Sequence, residues 1–145
     1  PTMALTEPAE VMPQSDLNVE EVGPEDVAGA SLALGLDLWP SYLRAAGKPG
    51  FHHYLAFDDE RPVAHAALYV ADGIGYLGWM STAEADRRRA AQQALIAARI
   101  ETAQGLGVDL IISETLTTLQ SSPGNLHRAG FREVYDVEVY RSPDP

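Results

Sequence analysis

The chain has 145 residues, 46% of them apolar, and a formal charge of −11. That length suits one domain with its own core and is short for two, and no apolar run approaches the roughly 20 residues of a membrane span. Ten Lys and Arg against 21 Asp and Glu argue against nucleic acid or an anionic membrane as partner and favour a cationic one, while the lack of cysteine excludes disulfides and thiolate chemistry.

Residues 1–15, PTMALTEPAEVMPQS, hold three prolines and neither a helical nor an alternating pattern. They read as a flexible tail before a single domain at 16–145. They also lack the basic start and apolar middle of a secretory signal, which with the missing cysteines sets a cytoplasmic expectation. Leu17 to Val22 reads as a short strand closed by Gly23-Pro24. Glu25 and Asp26 then open an amphipathic helix through Val27, Ala30, Leu32, Leu34 and Leu36. A second short helix is expected from Pro40 to Ala46, ended by Gly47, Pro49 and Gly50.

The middle of the chain carries strand signals. Tyr54 to Phe57 is followed by the polar turn Asp58 to Pro62, then by a run from Val63 to Val70. Asp72-Gly73, a favoured hairpin pair, leads into Ile74 to Met80. These segments form an antiparallel meander, with Pro62 at a strand entrance where its missing N–H does least harm. Gly75 and Gly78 thin out the last of these strands and point to a bulge or a close packing contact.

From Arg89 to Leu106 the period becomes helical. Ala91, Leu95, Ala98, Thr102 and Leu106 make one row, widened by Ile96, Ile100 and Ala103, as on a helix packed against a sheet. Gly105 and Gly107 supply the stop. Val108 to Ile112 reads as a buried central strand, completing a βαβ unit whose crossover should be right-handed. A Ser/Thr-rich loop follows, then a short helix with Ser122 as cap, Pro123 in its first turn and Gly130 at its exit. Phe131 to Arg141 is strand-like.

The chemistry concentrates in Asp86-Arg87-Arg88-Arg89-Ala90-Ala91-Gln92-Gln93, where the longest helix begins. Three cations oppose the positive end of the helix dipole there, only partly offset by Glu84 and Asp86. An arriving pyrophosphate would pair with the arginines and satisfy the first-turn N–H groups together. From the residues alone, a solvated turn explains the run equally well.

This stretch resembles the acyl-CoA motif of the GNAT superfamily of N-acetyltransferases, Arg/Gln-x-x-Gly-x-Gly/Ala. Asn125-Leu126-His127-Arg128-Ala129-Gly130-Phe131 is similar to the family's final helix and its Gly-Phe ending, and the order of elements from Leu17 to Arg141 agrees. The resemblance implies an α/β fold with a mixed central sheet, an antiparallel N-terminal meander, a parallel βαβ crossover and helices on both faces. It implies an N-acetyltransferase that moves an acetyl or acyl group from acetyl-CoA to a small or peptide amine, without a metal, in a ternary complex. A homodimer through the last strands is compatible with it.

Carried onto this sequence, Arg87, Arg88, Arg89, Ala90, Ala91, Gln92 and Gln93 would bind the CoA pyrophosphate, and Asn125 would contact the cofactor. Trp79, Met80 and Ser81 would hold the pantetheine and the thioester, one of their N–H groups polarising the carbonyl. Trp39 and Tyr42 would wall the acceptor pocket. The sequence departs from the family at Ala90, where the first glycine stands, at Gln92, and at Leu126, where many members carry the tyrosine that protonates the thiolate. Glu114, at the end of the buried strand, is the candidate base, and His127 the candidate acid. His52 and His53 point to opposite faces, His65 lies on an alternating strand, and there is neither a cysteine nor a helical His pairing, so a metal site has little support. Ser81, Ser113, Ser121 and Ser122 lack a nucleophile-elbow context. A non-catalytic acyl-CoA sensor or interaction module on the same fold is the alternative.

Overall fold

The computed structural model of the chain describes residues 2–5, 16–34, 46–83, 86, 90–114 and 126–135. Among them run β1 (Thr2–Leu5), β2 (Asn18–Val22), α1 (Pro24–Leu34), β3 (Phe51–Asp58), β4 (Arg61–Ala71), β5 (Ile74–Thr82), α2 (Ala91–Gly105), β6 (Leu110–Glu114) and β7 (Arg132–Tyr135). The seven strands form one sheet in the order β2-β3-β4-β5-β6-β1-β7. Pairing is antiparallel from β2 to β5, parallel between β5 and β6, and antiparallel again through β1 and β7. This is the mixed sheet with a βαβ unit that the sequence led us to expect.

Turn chemistry sets the meander. Asp72 (φ 53°) and Gly73 (φ 78°) both adopt left-handed backbone, which a two-residue hairpin between right-twisted strands requires. Asp59 (φ 53°) turns the chain between β3 and β4; aspartate tolerates this conformation better than most residues. Gly107 (φ 75°), rather than the helical Gly105, ends α2, with its N–H donating to Gln104 O at 3.0 Å.

Alternation along β4 divides the core between two faces. Ala64, Ala66 and Leu68 join the main cluster with Leu77, Leu95, Ile96, Ile100 and Ile111, under α2. Ala67 points the other way and packs with Val27 of α1, Val22 and Trp79. Helices therefore cover both faces, and Tyr54 Oη donates to Thr102 Oγ1 at 2.6 Å to tie β3 to α2. Gly75 explains the close approach of α2: a Cβ there would lie 3.4 Å from Ala103 Cβ and 3.7 Å from Ile111 Cγ1. Leu106, expected in the buried row of α2, instead lies at its C-cap and is exposed.

One expectation fails at the N-terminus. Residues 2–5 are not part of a tail: β1 sits between β6 and β7, and Met3 and Leu5 are buried in the main cluster. Partners on both sides satisfy its backbone, so four residues suffice. Of the helix expected at 40–46 only Ala46 is described, in a turn. The loop and cap at 115–123 and the strand beyond residue 135 lie outside the described residues. No described helix is long and apolar enough to cross a membrane.

Candidate active site

β5 changes partners halfway along. From Ile74↔Leu110 to Leu77↔Ser113 it pairs with β6 in parallel register. Past Leu77 it continues to Thr82 on β4 alone, while β6 is held by β1. Their pairing ends at Leu77↔Ser113, one residue before β6 itself ends at Glu114. The buried Ser113 hydroxyl donates to Leu77 O at 2.8 Å and fastens the last joined pair.

Just past the last of these pairs, β5 bulges. His65 pairs with Ser81 and Ala67 with Gly78, so one residue of β4, Ala66, faces two of β5, Trp79 and Met80. An extra residue of this kind kinks a strand and re-aims its backbone. Trp79 takes φ 50°, a left-handed conformation costly for a bulky side chain. The bulge keeps Trp79 with the α1-side cluster and turns Met80 to the α2 side. Gly78 leaves room for the Tyr76 ring: a Cβ would stand 2.7 Å from Tyr76 Cε1 and the ring would have to shift.

A buried arginine braces the bulge from beneath. Arg99, fully buried in the middle of α2, donates from Nη1 to Ala67 O at 2.9 Å and to Gly78 O at 3.2 Å. Its Nε bonds Leu95 O at 3.1 Å, and Nη2 is aimed at Met80 Sδ. Burial pushes its pKa down to about 9, so it remains charged at neutral pH. Desolvating a guanidinium costs several kcal/mol, and hydrogen bonds from a charged donor return about 1.5–3 kcal/mol each.

The α1 side of the same strands is aromatic. Phe51 lies 4.8 Å from Tyr69 and 5.4 Å from Trp79 between ring centroids, and Tyr76 meets Trp79 edge-on at 5.7 Å. Tyr76 pairs with Ile112, so Glu114, two residues further along β6, shares its face. Burial, and then the Glu114 carboxylate, raise the Tyr76 pKa, which keeps the phenol protonated. His65 is held neutral: burial first, then His53 and Arg99, bring its pKa down to about 4.

Two described residues after β5 are anchored to β4. Ala83 N–H donates to Val63 O at 2.8 Å, and the Asp86 carboxylate accepts Arg61 Nη1 at 3.0 Å and Nη2 at 3.2 Å. Asp86 is therefore a buried anchor, engaged by Arg61. α2 then starts at Ala90 (φ 56°, ψ 25°), a left-handed N-cap whose methyl group cannot cap a first-turn amide. Ala90 thus occupies backbone that suits a glycine.

The structure brings Trp79, Met80 and Ser81 together at the bulge and sets Ala90, Ala91, Gln92 and Gln93 at the start of α2. Glu114 is exposed at the end of β6. His127 is exposed, with Nε2 3.8 Å from Glu133 Oε1, and Leu126 is fully buried. Arg87, Arg88, Arg89, Trp39, Tyr42 and Asn125 lie outside the described residues. Sequence reasoning missed Tyr76 and Arg99. The latter did leave a signal: Arg99 interrupts the row Leu95, Arg99, Ala103, where every other residue is apolar.

No family profile matches the sequence, and no curated protein does. Solved structures match in shape. The chain has the fold of GNAT N-acetyltransferases. An aminoglycoside acetyltransferase from an uncultured soil metagenomic sample, in complex with sisomicin, superposes with a TM-score of 0.72 at 13% identity, over 88% of this chain and 97% of that one. The aminoglycoside acetyltransferase AAC(6')-Iy, bound to a CoA bisubstrate analogue, gives 0.70 at 18% identity, over 90% and 100%. The ribosomal-protein alanine N-acetyltransferase of Escherichia coli gives 0.71 at 15% identity, over 82% and 79%.

Proposed function

We propose that the chain transfers an acyl group, acetyl in the simplest case, from coenzyme A to an amine. The observation that carries this reading is the bulge at Trp79–Met80, just past the last parallel pair of β5 and β6, Leu77↔Ser113. A re-aimed backbone N–H suits a developing oxyanion, and the carboxyl end of a parallel strand pair is where open α/β sheets place their ligands. The first turn of α2, entered through Ala90, would receive the pyrophosphate with help from Arg87, Arg88 and Arg89. The fold shared with an acetyltransferase bound to a CoA bisubstrate analogue supports the same donor.

In this reading the amine nitrogen attacks the thioester carbonyl, forming a carbon–nitrogen bond as the carbon–sulfur bond breaks. Glu114 would take the proton of the incoming ammonium, directly or through water. The departing thiolate would draw its proton from the Tyr76 phenol, His127 or water, because the buried Leu126 has none to give. Positioning contributes most of the acceleration in such a direct transfer. The net charge of −11 favours a cationic acceptor by steering.

Titration calorimetry with acetyl-CoA tests the donor. Wild type should bind, and the double variant Arg87→Glu, Arg89→Glu should bind at least about tenfold more weakly while folding normally. Absence of binding at millimolar acetyl-CoA would remove the reading. CoA release against amino acids, polyamines, aminoglycosides and peptides then separates an enzyme from the alternative. Binding with no turnover across that panel identifies a sensor, the reading that Leu126 favours.

A further inference from the structure

Arg99 spends its donors in a particular place. The two carbonyls that Nη1 bonds, Ala67 O at 2.9 Å and Gly78 O at 3.2 Å, belong to the register pair that immediately precedes the bulge. Gly78 C=O and Trp79 N–H are the two ends of one planar peptide unit, so fixing the direction of the first fixes the second. A cation on that carbonyl also draws electrons through the amide and strengthens its N–H as a donor. Met80, next along, has its sulfur against Nη2. One fully buried side chain therefore reaches both sides of the bulge: the strand it leaves and both residues around its kink. Leu95 O, the acceptor of Nε, lies one helical turn back and locks the guanidinium plane to α2.

A core needs no cation for packing alone, and methionine would fill similar space without the desolvation. What only a planar guanidinium supplies is several donors in a fixed fork. We propose that Arg99 is a positioning residue for acyl transfer: it holds the Gly78–Trp79 peptide in the orientation that serves the thioester and steadies Met80 through its sulfur. The proposal rests on the acyltransferase reading for its reaction and on the geometry alone for its effect on the bulge.

The test uses Arg99→Met, Arg99→Lys and wild type, with two independent readouts. In the free protein, the amide nitrogen and proton resonances of Trp79 and Met80 should shift or broaden in Arg99→Met. Those of Ile74 to Leu77 should stay in place. In turnover assays with acetyl-CoA and an accepted amine, kcat should fall about 10²-fold, the scale of a small misplacement. KM for acetyl-CoA should stay within about threefold, because the proposed pyrophosphate site is untouched. Arg99→Lys should recover part of kcat and part of the amide shifts. Unmoved Trp79 and Met80 amides, or a loss confined to KM, would overturn the proposal. Should Arg99→Met fail to fold, Arg99→Lys carries both readouts with the same criteria. A wild type that turns over no amine defeats the acyltransferase reading, and with it the catalytic half, while the resonances still decide whether Arg99 holds the bulge.

Discussion

The two halves of β5 are built for different ends. Ile74 to Leu77 is regular strand, paired on both sides, with Gly75 letting α2 close in and Leu77 buried beneath it. Gly78 to Thr82 has one strand partner, an extra residue, a tryptophan in left-handed backbone and a buried charge underneath. The contrast extends to the other left-handed, non-glycine residues. Asp59 and Asp72 sit in hairpin turns, where the conformation is ordinary for aspartate. Trp79 and Ala90 have no such excuse. Among the described residues, strain therefore gathers between the bulge of β5 and the start of α2, the stretch we propose for the acyl donor.

If the joined half is purely structural, removing its core should cost stability and little else. Leu77→Ala deletes a fully buried side chain and should destabilise by about 2–5 kcal/mol, measured by urea unfolding. A cost well under 1 kcal/mol would show that the two halves are not so different. The open half should respond to acid. His65 pairs with Ser81 there, buried among His53 and Arg99, and its pKa of about 4 lies below the ordinary 6.5. The unfolded chain binds this proton first as pH falls, so stability is complete above pH 6.5 and declines toward pH 4. That shift corresponds to about 3 kcal/mol at most. The difference between wild type and His65→Gln, followed across that window, isolates it from the carboxylates. A constant difference would mean that His65 titrates normally.

Much of this was legible beforehand because the signals were local. Asp72-Gly73 announces a hairpin, alternation announces β4, and the 3.6-residue period announces α2. The Arg87 to Gln93 stretch marked the helix start, and Trp79, Met80 and Ser81 were placed at the strand before it. β1 was missed for a physical reason. Four residues are too few for a period to register, nearby prolines suggest a tail, and both partners of β1 lie more than a hundred residues away in the chain. The bulge was named only as one option at the glycines, since one extra residue is defined by the facing strand, which sequence does not align. Arg99 was visible as a charge in an apolar row, but what it reaches belongs to β4 and β5. Site features that depend on a register between distant strands stay hidden until the register is seen.

The smallest effect is the most discriminating, because its sign separates strain from mere departure in sequence. Ala90 has φ 56° and ψ 25° at the head of α2, backbone in which a Cβ is opposed by its own carbonyl. Ala90→Gly removes that repulsion, worth about 1–2 kcal/mol, and gives back some of it through the greater freedom of glycine in the unfolded chain. The expected balance is a gain of about 1 kcal/mol in urea unfolding, against the loss of similar size that the same change causes inside an ordinary helix. Ala28→Gly, within α1, supplies that control. A stabilised Ala90→Gly beside a destabilised Ala28→Gly would mean that the chain holds its α2 entrance in a tense shape that alanine tolerates and glycine prefers. Equal losses at both would mean that Ala90 relaxes into ordinary helix, and the strain assigned to the open region would shrink to Trp79 alone.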